Sequence, residues 1–491
     1  KKESEKLKPM EKRWKNRGGI VMSIARNKER DLTTGPLVPK IILFALPLMA
    51  TGILQLMFNA ADLIIVGQFA PNGQEDIGAI GGTGPLINLV INLFIGLSVG
   101  TSVFTARYIG AGDREKTGQT VHTSMAVALI GGIVCFILGF FFARTFLSWM
   151  GTIDKFLDLS TRYMQIYFIG IPACLIYNFG SAILRAAGDT FHPLLFLTIA
   201  GVSNVILNII MVVCFQRSVD GVAWASAVSQ IISAGLVVWY LAFRTEGSYK
   251  LEFRKIRIHK ARLWELIRIG VPAGVQGALY SLSNIIIQSG VNSFNSKAVV
   301  SGSVASSSID SFIYSAMTTF NHAALSFIGQ NIGAGKPEKI GKITGTCLWM
   351  VSAVGILLGL VTCFFGEPLL RLYVGSEAAA GEGSAIYYGM IRLRIITLTY
   401  FTCGIMEVFS GSLRGMGASL GPTVICLTGV CGIRILWIYT IFRMEEFHKL
   451  NILFYSYPVS WVITVMAQFI LFLHLRKKIL RQYAGKSVSS A

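Results

Sequence analysis

Histidine is scarce in this chain, with six residues in 491, and the six do not cluster. There is no HExxH, which excludes the helical pair of histidines that a zinc hydrolase needs. There is no Walker A loop either. The nearest resemblance, Gly329 to Lys336, has the wrong spacing and runs into Pro337, so nothing here cradles the phosphates of ATP. No GxSxG stands in a strand-turn-helix setting. The eight cysteines (Cys135, Cys174, Cys214, Cys347, Cys363, Cys403, Cys426 and Cys431) fall mostly within apolar segments and form no CxxC. A buried free cysteine behaves as a small hydrophobe, so neither a disulfide framework nor a zinc site is expected. Charge is thin as well, at 14% of residues. With no catalytic cluster, no cofactor and no nucleotide loop, the chain reads as a non-enzyme. Any transport would have to run on an ion gradient.

What the chain has in abundance is apolar sequence, 53% of its residues. A membrane crossing takes about 20 mostly apolar residues. Twelve segments qualify: 38–67, 77–106, 120–147, 162–185, 192–214, 220–243, 264–291, 297–328, 343–366, 386–413, 421–443 and 450–474. Several exceed the minimum, which implies tilt or projection beyond the bilayer. Residues 1–31 are charged and the apolar stretch after them is too long for a signal h-region, so a solvated basic tail is expected rather than a cleaved signal. Residues 17–22 read RGGIVM, which suggests Met22 as the translational start. Native protein carrying residues upstream of Met22 would reject that expectation.

The decapeptide IGAGDREKTG (Ile109 to Gly118) returns as IGAGKPEKIG (Ile332 to Gly341), each time between long apolar segments. Leu184-Arg185-Ala186-Ala187-Gly188 likewise returns as Leu413-Arg414-Gly415-Met416-Gly417, and Pro47, Gly52 and Asn59 match Pro272, Gly277 and Asn284 at equal spacing. Repetition at half-chain spacing means an internal duplication, a common architecture of secondary transporters. The expected fold is all-α and integral to the membrane. It has a first lobe at 37–244 after a basic tail (1–36), a basic linker at 245–262, a second lobe at 263–475, and a tail at 476–491. Six crossings per repeat is an even number, so the two six-helix bundles should be related by a pseudo-two-fold axis along the membrane normal.

The net charge of +19 raises the question of nucleic acid, but its distribution argues against that. Of the Lys and Arg residues, 33 fall on the side that carries both termini and 10 on the other. The positive-inside rule then makes both termini cytoplasmic. The basic run from Arg254 to Arg262 between the lobes reads as a topological anchor on anionic lipid headgroups, with a regulatory lipid or partner site as the sharper alternative.

Ionisable residues within crossings are costly and are functional candidates by default. Four stand out: Asp62 in crossing one, Asp310 in crossing eight, Glu407 in crossing ten and Arg434 in crossing eleven. Asp62 has Ile287 at its repeat position, so the halves differ in chemistry. Burial penalises the charged form of a carboxylate, which suits it to exchange a proton or to hold a cation. The bland alternative is a silent, hydrogen-bonded structural carboxylate. Asn204 and Asn208 lie four apart and share a helical face, and Ser226 opens crossing six. Their oxygens are of the type hard cations prefer, although interhelical hydrogen bonds use the same residues. Glu407 and Arg434 could pair, with Asp310 as the competing partner. Asn284, Gln288 and Asn292 form a polar stripe on crossing seven that should face a cavity or another helix. Gln55, Asn59, Tyr177, Asn178, Met317 and Tyr400 are candidate cavity residues, although such aromatics and methionines more often simply pack.

The pieces LPLMATGILQLMFNAADLIIVGQF, ARYIGAGDREK, ILRAAGDT, GQNIGAGKPEK and SGSLRGMG, in order and in both halves, resemble the multidrug and toxic compound extrusion (MATE) family. The resemblance runs from about residue 32 to 478. It implies a V-shaped pair of six-helix bundles in a bacterial inner membrane, exporting organic and often cationic compounds in exchange for H+ or Na+. It also makes Asp62 a coupling residue and puts the family's fifth-helix and sixth-helix coupling positions on Asn204, Asn208 and Ser226. Asn at 208 departs from the two-Asp version of the family and leaves either ion open, with Na+ a candidate at Asp62, Asn204 and Asn208. Small organic substrates and membrane lipids are the expected partners, and a monomer the expected state. Two rivals remain. A lipid-linked precursor flippase would want several basic residues in its cavity, where only Arg434 is evident. A non-transporting scaffold would not need Asp62 or the polar stripes.

Overall fold

In the computed structural model, residues 31–489 are described except 71–72, 151, 153, 375–380 and 382. The basic tail through residue 30 and the Met22 start lie outside the described residues, as do residues 490–491. Among the described residues the protein is helical, with no strand. The helices are α1 (Leu37–Phe69), α2 (Gly73–Gly110), α3 (Arg114–Trp149), α4 (Asp154–Ala186), α5 (Phe191–Cys214) and α6 (Val219–Arg244), then α7 (Lys260–Asn292), α8 (Lys297–Gly333), α9 (Lys339–Phe364), a short α10 (Gly366–Val374), α11 (Ala385–Gly415), α12 (Leu420–Tyr439) and α13 (Leu450–Ser489).

Ten of these are long and apolar enough to cross a membrane, namely α1 to α6, α9, α11, α12 and α13. The other two long helices, α7 and α8, fall short on composition. Helix α7 begins with Lys260, Arg262, Glu265 and Arg268, and α8 carries serine at 301, 303, 306, 307, 308, 311 and 315. The serine-rich part of α8 opens onto a cavity, with Ser303, Ser307 and Ser311 in its wall, while Met317, Phe320, Phe327 and Ile328 further along are in the core. Together the twelve long helices make the two six-helix bundles. The outer faces are apolar, with Phe141, Trp149, Phe243 and Phe364 among the most exposed residues, as a lipid-facing surface requires.

The duplication is visible in backbone geometry. Helix α2 ends with Gly112 at φ +68° and α8 ends with Gly335 at φ +71°. In the first, the Asp113 N–H donates to the Tyr108 carbonyl at 3.1 Å; in the second, Lys336 donates to Asn331 at 2.9 Å. Both are left-handed helix caps that glycine alone adopts without strain. Gly188 and Gly417 repeat the same cap after α4 and α11, at φ +85° and +92°.

Two large cores divide the chain, and α1 enters both. Ile65 and Val66 near its end pack in the first-half core with α3 to α6. Ile41, Phe44, Ala45 and Leu48 near its start pack in the second-half core, where Phe44 meets Phe327 edge-on at 5.6 Å. Helix α7 does the converse. Its first half lies against α2, with Ile269 beside Val103 and Phe104, and its end (Ile287, Val291) joins the second-half core.

The bundles meet along a seam at the end where α1 begins and α8 and α13 finish. Backbones touch there because glycines line both sides: a Cβ on Gly96 would come within 2.8 Å of the Gly270 carbonyl, and one on Gly110 within 2.7 Å of the Gln330 carbonyl carbon. Gln330 closes the seam further. It accepts from the Leu32 N–H at 3.1 Å and donates to the Ala186 carbonyl at 2.8 Å, tying the segment before α1 and the end of α4 to α8. Asn331 donates to the Leu32 carbonyl at 3.2 Å, so the buried Leu32 peptide is held from both sides. The linker is docked as well. The Glu252 N–H donates to His122 Nε2 at 3.1 Å, and Tyr249 and Leu251 are buried, while Arg254, Lys255 and Arg257 point outward.

Candidate functional site

Within the first bundle α1, α2, α4, α5 and α6 line a cavity of about 540 Å³. Asp62 of α1 reaches it two turns before the helix ends. Asn204 and Asn208 reach it from α5, one turn apart on one face, as their spacing requires. Asn208 Nδ2 donates to Asp62 Oδ1 at 2.5 Å and lies 3.3 Å from Asn204 Oδ1. Asn208 Oδ1 is buried and has no hydrogen-bond partner. Asp62 Oδ1 and Asn204 Oδ1 thus both face the Asn208 amide nitrogen, while the oxygen of the same amide is left unsatisfied. Helix α5 loosens into a π-helical stretch (Ile209–Cys214) directly after Asn208, a distortion that gathers at functional sites. Ser226, Gln55, Asn59, Tyr177 and Asn178 line the same cavity. Tyr177 and Asn178 are partly committed already, donating to the Pro193 and Cys174 carbonyls. Tyr163, Tyr167 and Gln230 also line it and had gone unnoticed in the sequence, where isolated aromatics and amides carry no pattern.

The second bundle holds a cavity of about 420 Å³, lined by Asn284, Gln288, Asp310, Arg392, Tyr400 and Arg434 among others. Here the sequence reading needs correction. Arg434 pairs with neither Glu407 nor Asp310. Its guanidinium lies over the Tyr457 ring at 3.9 Å and its Nε donates to Ser460 Oγ at 3.2 Å. Glu407 sits outside this cavity and accepts from Asn321 Nδ2 at 2.6 Å. Asp310 takes Arg392 instead, at 3.0 Å, with both side chains under a tenth exposed. The nitrogen is close enough for an ion pair but not aligned for a hydrogen bond, since neither Asp310 oxygen has one. Arg392 NH1 is directed at the Ser303 carbonyl, 3.1 Å away. Met317 is fully buried against Gly355 and Gly404 and does not reach the cavity; it is packing.

Buried basic residues are therefore more numerous than Arg434 alone. Arg392 and Arg414 are buried too, Arg414 donating to Gln276 Oε1 at 2.8 Å. In sequence Arg392 stands two residues from Arg394. A helix turns such a pair to different faces, and that spacing was the one available signal that one of them faces inward. Gln288 donates to Asn292 at 3.1 Å, within the polar stripe. All eight cysteines are free. Among the described residues no group of three His, Cys, Asp or Glu side chains is placed to hold a metal.

The family model MatE matches this chain twice, over residues 47–210 and 272–440. The chain belongs to the MatE family. The MatE relatives include two from Bacillus subtilis. Probable multidrug resistance protein YoeA is 26% identical over 436 residues, covering 86% of this chain and 91% of its own. Probable multidrug resistance protein YpnP is 29% identical over 406 residues, covering 82% and 87%. Among solved structures, the outward-facing conformation of a multidrug resistance MATE family transporter of the MOP superfamily superposes with a TM-score of 0.84 at 20% identity. It covers 93% of this chain and 99% of its own. A MatE chain with this fold is an integral membrane transporter and not an enzyme.

Proposed function

We propose that this protein is a cation-coupled antiporter that exports organic, cationic or amphipathic drugs and toxins by alternating access. The reading rests on one observation: a carboxylate, Asp62, shares a cavity with two carboxamides, and one of their oxygens, Asn208 Oδ1, is buried with nothing to accept from. An unsatisfied buried acceptor is costly, and a bound cation or a proton on Asp62 would relieve it. With Asp62 ionised, the Asn208 amide presents its NH2 group to the carboxylate. With Asp62 protonated, a flipped amide would accept the new O–H. A monovalent cation would be met by the Asp62, Asn204 and Asn208 oxygens. H+ and Na+ are both served by this donor set, with Ser226 on the cavity wall.

Coupling to motion follows from α1. It carries Asp62 in the first-half core and its own first turns in the second-half core, next to the seam. A proton or cation at Asp62 that bends or repacks α1 acts on both bundles together. We place both termini and the glycine seam on the cytoplasmic side of a bacterial inner membrane, so the seam seals the inward exit. The protein works as a monomer embedded in lipid, and the exposed Arg254, Lys255 and Arg257 lie against anionic headgroups.

The test is ethidium efflux from proteoliposomes under a pH gradient or a Na+ gradient, imposed separately, with Asp62→Asn beside the unaltered protein. Efflux driven by one gradient and lost in Asp62→Asn supports the reading and names the ion. Coupled efflux that survives Asp62→Asn refutes it.

A further inference from the structure

We propose that the second-bundle cavity is a subsite for the acidic group of an aromatic ligand, with Arg434 as the residue that receives it. This builds on the transport reading and names a substrate chemistry for the second cavity.

The charged side chains lining this cavity are Asp310, Arg392 and Arg434. Asp310 and Arg392 neutralise one another at 3.0 Å. Arg434 is left as a net positive charge. It is 4% exposed, and among the described residues no carboxylate pairs with it. Its Nε is committed to Ser460 Oγ, and one face of its guanidinium is stacked on Tyr457. No described residue hydrogen-bonds its two terminal nitrogens. A guanidinium presents five N–H groups in a rigid fork that matches a carboxylate or phosphate bidentately. Stacking lowers the cost of burying the charge but satisfies none of those donors. An acidic ligand group would satisfy them and neutralise the cavity at once.

The rest of the wall selects the ligand's body. Tyr280, Tyr314, Tyr400, Tyr457 and Trp461 surround the space. Aromatic faces at this density suit a flat ring stacked beside the charge. Helix α12 is built to bring Arg434 here. A π-helical stretch, Leu427–Gly432, precedes it directly. The match of Leu184 with Leu413 sets Ile433 opposite Asn204. A π-helical turn takes up one extra residue, so beyond it Arg434 stands where the first bundle has Asn204. The duplicated position therefore carries a neutral oxygen donor in one cavity and a cation in the other.

The experiment uses three probes with one ring system: 2-naphthoate, 2-naphthamide and 2-naphthylmethylammonium. Their binding is measured by titration calorimetry on the full-length protein in phosphatidylcholine nanodiscs. We expect 2-naphthoate to bind at least tenfold more tightly than the other two. Arg434→Gln should abolish that preference, and Arg434→Lys should retain part of it. Gln288→Glu, which adds a carboxylate to the same cavity and leaves Arg434 in place, should also weaken 2-naphthoate and spare 2-naphthamide. This arm decides the matter if Arg434→Gln does not fold. Equal affinity for the three probes, or an unchanged preference in Arg434→Gln or in Gln288→Glu, would overturn the proposal. Repeating the titration in phosphatidylglycerol nanodiscs separates a dissolved acid from a lipid headgroup. Unchanged affinity supports the assignment, and strong competition would give the site to lipid and overturn it. Asp62→Asn should leave 2-naphthoate binding intact while removing coupled efflux, so loss of the transport reading and loss of this one are separate results.

Discussion

Replacing Gly110 by alanine should push the two bundles apart at the seam. The new Cβ would be forced against the Gln330 carbonyl, within 2.7 Å of its carbon and 2.8 Å of its Cα, and neither is a flexible side chain that can swing away. The helix ends must separate by about an ångström to restore ordinary contact. That displacement strains the two bonds of the Gln330 side chain, to Leu32 at 3.1 Å and to Ala186 at 2.8 Å. Overpacking costs about 1–3 kcal/mol and each lost hydrogen bond about 0.5–1.5 kcal/mol, so the closed seam should lose roughly 2–6 kcal/mol. Since each 1.4 kcal/mol is tenfold, the equilibrium moves toward the open seam by a factor of about 30 or more. Spin labels on Arg114→Cys and Lys342→Cys, in a background freed of reactive native cysteines, report the separation as a distance distribution. The control is Gly112→Ala. Its Cβ meets nothing within 4 Å, so it strains the helix cap without touching the partner bundle. A longer distance in Gly110→Ala but not in Gly112→Ala is expected. Identical distributions in all three proteins would refute the claim that backbone contact at Gly110 holds the seam.

Removing one member of the Asp310–Arg392 pair should cost far more than removing both. Arg392→Met strands a buried carboxylate at about 3–5 kcal/mol, and adding Asp310→Leu should recover most of the thermal stability, as read by denaturation in detergent. Asn208→Leu deletes the hydrogen bond to Asp62, worth about 1.5–3 kcal/mol to a charged acceptor, so gradient-driven efflux should fall about tenfold or more while helicity by circular dichroism stays the same. Asp31, in the exposed segment before α1, loses some hydration to the chain around it, which by itself raises its pKa, but hydrogen bonds from Thr33 and Thr34 and the Lys40 charge outweigh this and hold it down to about 2. A depressed carboxylate stabilises above its ordinary value of 3.8 and loses that contribution as the pH falls toward 2, so the Thr33 amide, which donates to Asp31 Oδ1, should lose its protection from hydrogen exchange across that window.

The architecture was legible because a crossing is a long, one-sided composition signal and a duplication is self-similarity. The twelve segments and the matched turns at Gly112 and Gly335 follow from local composition and self-similarity, whereas the meeting of Asp62 with Asn208 was implied by the family resemblance and not by periodicity. What escaped has a common physical character. The partner of Arg434 depended on whether Tyr457 and Trp461, some 25 residues away, would face it, and aromatic stacking leaves no charge pattern to read. The spacing of Arg392 and Arg394 signals that one of them faces inward but not which, since that depends on how α11 is rotated against α8. The low apolarity of α8 is explained only once the second cavity is known, because a helix face that lines a cavity need not be oily. The π-helical stretches in α5 and α12 come from packing at one turn, which no propensity encodes.

Phe44 and Phe327 touch in the finished protein, yet roughly 280 residues of synthesis separate them. At about 5–20 residues per second, the start of α1 waits on the order of 15–60 seconds for the partner its apolar face is shaped for. During that interval Ile41, Phe44, Ala45 and Leu48 have only lipid, or an assisting protein, to lie against. Because α7 in turn leans on α2, neither half can complete its own first helix. A chain severed in the linker would yield two pieces that each carry an uncovered stripe, and a single-repeat ancestor would have had to trade those stripes between two copies.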